Sequence, residues 1–251
     1  MLIAWGFAGL IALPSNAWAD ETGKIEIGKI SSFAPAADLL QQVDFFIGRV
    51  DESVQNPADF DGAKQSRTLK DGSTLAVLAL MLAHHDEPLP LKTSMPSMLS
   101  AAQALADSGD QVEQARTALA QIKAARAGHA PSTTTAKWEK AASLAALMKQ
   151  VPLIHTALKR GVDPNRLARQ AVQSAGQAAA LAAIAEAASL DPEPAKSSDD
   201  VATWREYCAQ MRDAAGEVNA AVHAKDPDRV ATGMKRMTRS CDDCHAKFRG
   251  H

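Results

Sequence analysis

The most specific chemistry in the chain sits near its C-terminus, in the run Cys241-Asp242-Asp243-Cys244-His245. Two thiols at this C-x-x-C spacing lie one helical turn apart and can add across the two vinyl groups of a haem. The adjacent His then lies under the iron as an axial ligand. Two other chemistries use paired thiols. A thioredoxin-like redox pair needs a βαβ setting with the pair at a helix N-terminus. A zinc site needs two further ligands at matching spacing. The chain has 3 Cys in all, so no second pair exists, and the flanking sequence lacks a strand pattern. The motif therefore reads as the attachment site of one covalent haem c, with Cys241 and Cys244 forming the thioethers and His245 binding the iron.

An amphipathic helix must position these residues. Val230, Met234, Met237, Cys241, Cys244 and Phe248 recur at spacings of three and four, so the cysteines continue an inward-facing apolar stripe. Asp226-Pro227 supplies an N-cap followed by Pro at the first helical position. The rest of the chain is consistent with helices throughout. Of its 251 residues, aromatics make up 4% and Ala dominates, which favours helix and nearly excludes an all-β fold. A formal charge of −2 leaves no basic field to hold nucleic acid. No nucleophile elbow, phosphate loop or His-Glu-x-x-His is present, so no enzymatic function is expected.

Pro and Gly clusters divide the sequence into eight candidate helices, at roughly 35–55, 58–85, 94–108, 109–127, 135–160, 164–189, 198–225 and 227–249. The two sets of four read as a repeat. Leu39-Leu40-Gln41-Gln42-Val43 parallels Leu147-Met148-Lys149-Gln150-Val151, and Leu75 to Ala79 parallels Leu181 to Ala185. The expected fold is all-α, two tandem four-helix bundles each with its own core. Residues 1–19 read as a signal peptide: an uncharged apolar run from Met1 to Leu13, then Ala17-Trp18-Ala19 before Asp20. A short membrane anchor is the alternative. The expected domains are then 20–134 and 135–251, in a periplasmic or otherwise exported chain with no membrane span after cleavage.

A C-terminal C-x-x-C-H-x-x-F/Y-R on the last helix of a four-helix bundle resembles the class II c-type cytochromes, the cytochrome c prime family. Here it is Cys241 to His245, then Phe248 and Arg249. The resemblance covers 135–249. The 20–134 half resembles a degenerate duplicate without haem, because the matching stretch Lys123 to Ala127 has neither Cys nor His. The resemblance implies a one-electron carrier with a redox partner protein, and places Trp204 and Arg249 in the haem pocket. It also implies that the first helix of the second set covers the open face of the iron. An apolar residue there leaves a five-coordinate haem that binds NO or CO, whereas a Met gives a six-coordinate carrier. Leu144, Leu147 and Met148 share nearly one face of that helix, and Met148 is the candidate sixth ligand. Family members often dimerise through their first helices, which implies a homodimer.

Several residues remain outside this scheme. Pro152 is expected to kink the helix and set how closely the 147–148 turn approaches the iron. His155, about two turns beyond Met148, is expected to lie too far for the same iron. Cys208 reads as a buried thiol, and His84-His85 as a helix end at the surface. Lys225, Arg229, Lys235, Arg236, Arg239 and Lys247 give the last helix a positive outer face that suits an acidic redox partner.

Overall fold

The computed structural model describes residues 28–249. Among them are eight α-helices and no strand: α1 (Ala36–Val54), α2 (Gly62–His84), α3 (Met95–Ala106), α4 (Val112–Arg126), α5 (Leu144–Gly161), α6 (Leu167–Ala188), α7 (Ser198–His223) and α8 (Pro227–Phe248). The fold is thus all-α. The run read as a signal peptide lies outside the described residues. No described helix is long and apolar enough to cross a membrane.

Local chemistry sets the helix ends. Asp61 caps α2 by accepting from the backbone N–H groups of Ala63 and Lys64 at 3.1 and 3.0 Å. Ser197 caps α7 through Asp200 N at 3.1 Å. Asp226 caps α8 through Arg229 N at 3.0 Å, with Pro227 in the first turn, as the sequence predicts. The α7–α8 turn is a Schellman motif: Lys225 N donates to Val222 O and Asp226 N to Ala221 O, both at 3.0 Å. This forces Lys225 to φ 55°, a left-handed conformation that glycine adopts at lower cost.

One boundary departs clearly from the sequence expectation. The fifth helix starts at Leu144, so 135–143 is not helical. Side chains from the first four helices hold this stretch instead. The His84 imidazole hydrogen-bonds Ala136 O at 3.0 Å, and Gln103 Nε2 donates to Ala141 O at 3.0 Å. Trp138 stacks edge-on against His84 at 5.1 Å. Tertiary contacts here override a helical composition. His84 and His85 also correct the surface expectation. His85 is fully buried and its ring bonds Ala34 O at 3.0 Å, while His84 is partly buried.

The packing is built around α2 and α6. Residues 71–82 of α2 and 174–188 of α6 are buried on every side. These are the segments that the internal repeat aligns. α2 packs against α1, α3, α5 and α6; α6 packs against α1, α2, α5 and α7. One continuous apolar core therefore runs through both sets, with Leu39, Phe46, Leu78, Met98, Ile122, Leu158, Leu181 and Val218 in the same cluster. Two separate cores are not formed, because the exchange of contacts between α1, α2, α5 and α6 fuses them.

The two sets differ in how they close. In the first, α1 packs on α2, α2 on α3, α3 on α4, and α4 returns to α1. In the second, α5, α6, α7 and α8 pack in succession, but α8 and α5 hardly meet. A gap is left along the α5–α8 seam.

Candidate functional site

That gap is a cavity of about 250 Å³. α5 contributes Met148, Val151, Pro152 and His155; α8 contributes Thr238, Ser240, Cys241, Asp242, Cys244 and His245. The floor comes from Ala185 and Ala188 of α6 with Trp204, Tyr207, Cys208 and Met211 of α7. All three residues of the Cys-Cys-His motif thus face one cavity. The amphipathic stripe of α8 explains this. Val230 and Met237 are buried in the main core, so the residues that continue the stripe toward the C-terminus turn the same way, into space that α5 leaves open.

A small apolar cluster, separate from the main core, closes the end of the cavity. Ala188, Trp204 and Cys208 form it, with Leu144, Cys244 and Phe248 packed alongside. Trp204 is 4% exposed and donates from its indole N–H to Ala188 O at 2.9 Å. Its ring meets Phe248 edge-on at 5.4 Å. Lys247 reaches Asp200 at 3.0 Å and ties the end of α8 to the start of α7.

The other candidates are sorted by the same geometry. Met148 lines the cavity, whereas Leu147 points into the main core and Leu144 into the aromatic cluster. Arg249 ends α8, exposed, with its backbone N–H on His245 O at 3.0 Å; it is not among the cavity-lining residues. The positive face of α8 is partly neutralised, since Arg236 pairs with Glu217, Arg239 with Asp243 at 3.6 Å and Lys247 with Asp200.

All three cysteines are free thiols. Burial pushes the Cys244 thiol up to about 11, with the neighbouring Cys241 adding to the effect. Burial, followed by the Asp242 charge, also raises Cys241. Cys208, buried as expected, is raised further still. A redox-active dithiol requires the opposite shift, toward thiolate. Among the described residues no group of three or more His, Cys, Asp or Glu side chains is placed to hold a metal ion directly.

His155, two turns beyond Met148, also faces the gap. It lines the same cavity as His245. Seven residues separate it from Met148, which is two turns on one helix face, so both lie on the α5 stripe that borders the gap. The cavity extends along α5 for those two turns, and separation along the axis does not remove His155 from it. Burial lowers its pKa below the usual His range, and Lys159 adds to the shift. Its Nε2 is buried and has no hydrogen-bond partner. A buried polar atom left unpaired costs about 1–3 kcal/mol. The i, i+7 spacing from Met148 was the available sequence signal.

No family model, no curated protein and no solved structure matches the chain.

Proposed function

We propose that the chain is an exported c-type cytochrome that carries one covalent haem in the α5–α8 cavity and transfers single electrons. One observation carries this reading. The only C-x-x-C-H run in the sequence opens onto the cavity between α5 and α8, two helices of the second set that hardly meet. The donor set fits the group: two protonated thiols one turn apart, an imidazole beside them, an apolar floor, and an unpaired imidazole nitrogen on the opposite wall. When bound, the haem supplies an iron centre that cycles between Fe(III) and Fe(II).

The residues of the chain hold and shield it. Cys241 and Cys244 would hold the haem by adding their S–H bonds across its vinyl C=C bonds, sulfur to one carbon and hydrogen to the other, with no oxidant consumed. His245 would hold the iron through an imidazole nitrogen. Trp204 and Phe248 wall off one end of the cavity, and the Ala-rich floor lets the helices approach closely. α5 presents two donors on the far side, the Met148 thioether and the His155 imidazole.

On this reading the helices form tandem four-helix bundles, the second like cytochrome c prime and the first a duplicate without haem. The closure of α1 on α4 supports it. Lys123 and Arg126, within the stretch that the repeat aligns with the haem motif, pair with Asp51 at 2.7 Å and Asp44 at 2.8 Å across that seam. Ion pairs thus cross the seam between α1 and α4, whereas α5 and α8 hardly meet.

Production in a host competent in cytochrome maturation tests the reading. A coloured protein with one haem per chain, by pyridine haemochrome assay and by intact mass, is the expected result. A colourless protein at the mass of the bare polypeptide overturns it, and two haems per chain overturn the duplicate without haem.

A further inference from the structure

We infer that His155 is the second axial ligand, so that the iron is held between two imidazoles, His245 from α8 and His155 from α5. The inference rests on the haem reading above and assigns the position that the sequence leaves open between Leu147 and Met148. Leu147 is excluded by its burial in the main core. The choice then lies between the Met148 thioether and the His155 imidazole, both on the cavity wall.

Their unmet needs differ. A thioether is a weak acceptor and packs among apolar groups without a partner. An imidazole nitrogen shut away from water needs one. Among the side chains lining this cavity, His155 alone has a buried nitrogen or oxygen with no hydrogen-bond partner. The residue sits across the seam from α8, which carries the opposing His245. An imidazole nitrogen without a partner, lining the same cavity as Cys241, Cys244 and His245, is the arrangement expected of a ligand.

The purified haem-loaded protein gives the test without any variant. Electron paramagnetic resonance and near-infrared magnetic circular dichroism separate two-imidazole, imidazole–thioether and five-coordinate ferric haem. A low-spin, two-imidazole signature with little CO uptake is expected. The His155→Ala protein becomes high-spin and takes up CO, and added imidazole restores the low-spin spectrum. The Met148→Leu protein keeps the wild-type coordination. An imidazole–thioether signature, a high-spin wild type, or a low-spin His155→Ala protein without added imidazole each overturns the assignment while leaving covalent haem in place. Absence of haem from the wild type instead overturns the reading on which it rests.

Discussion

Replacing Trp204 by Phe probes the wall that holds the haem motif against α7. Two losses follow from the structure. The indole N–H no longer donates to Ala188 O, a bond of 2.9 Å. That carbonyl keeps a second partner, Asp191 N at 3.1 Å, so no acceptor is orphaned and the loss is that of one ordinary hydrogen bond, about 1 kcal/mol. The smaller ring leaves part of a site that is only 4% exposed unfilled, which adds on the order of 1 kcal/mol. The sum is about 2 kcal/mol. With a urea slope of about 1–3 kcal/mol per molar, the midpoint should fall by roughly 1 M. Trp204→Ala removes the ring entirely, together with its edge contact to Phe248, and should cost about 3–5 kcal/mol. Urea titration of the full chain, followed by far-ultraviolet circular dichroism, measures both. A Phe variant whose midpoint matches wild type, or an Ala variant no worse than Phe, would refute the assignment of Trp204 as the anchored wall of the cavity.

Other perturbations test the scaffold. Asp71 is fully buried beside Arg49 (3.2 Å) and Gln150 (3.2 Å), and burial, partly offset by Arg49, raises its pKa to about 6. The folded state then binds the proton more tightly than the unfolded chain, so stability should fall as pH rises from about 4 to about 6. A shift of about two units corresponds to an order of 3 kcal/mol; Asp71→Asn should abolish this part of the slope in pH-dependent urea titrations. Lys225→Gly relieves the left-handed residue in the α7–α8 turn and should raise stability by about 1 kcal/mol, read from the same titration. Cys208 is 6% exposed with a raised thiol pKa, so iodoacetamide should leave it unmodified in the native protein and label it in urea, as intact mass will report. On the α1–α4 seam, Arg126→Leu should cost under about 1 kcal/mol because its ion pair is solvent-exposed. Ile122→Ala, at a fully buried site, should cost about 2–5 kcal/mol; the reverse order would show that charge rather than packing closes the seam.

Much of the helical framework could be read from the residues because its signals are local. The eight helices follow from Pro and Gly breaks and from caps such as Asp226-Pro227. Seven of them have boundaries within about four residues of the expected ones. The failure at 135–143 is non-local: no feature of that stretch announces that His84 and Gln103, far away in sequence, will take its carbonyls. The buried position of His85 has the same origin, since its partner is Ala34 O. At the site, the α8 stripe put Cys241 and Cys244 on the inner face correctly because helical periodicity determines it. Choosing among Leu144, Leu147 and Met148 required knowing which side of α5 borders α8. A shift of one residue turns a side chain through about 100°, and only the packed helices resolve that.

The fusion of the two sets bears on how the cavity survives. A four-helix set with one open seam lacks a share of the contacts that would hold it together. Here α5 and α6 do not depend on α8 alone: α5 also packs on α2, and α6 on α1 and α2. Polar groups reinforce this support. Asn219 donates to Asp38 at 2.7 Å and His223 bonds the same carboxylate at 2.8 Å, joining α7 to α1. Gln150 donates to Asp71, joining α5 to α2. Three of the four helices around the cavity are therefore anchored to the first set, and α8, attached through α7, is the wall least constrained. In this arrangement the closed first set acts as a brace. It keeps α5 and α7 in place while α5 and α8 stay apart, an arrangement that packing within the second set alone would oppose by drawing α5 and α8 together.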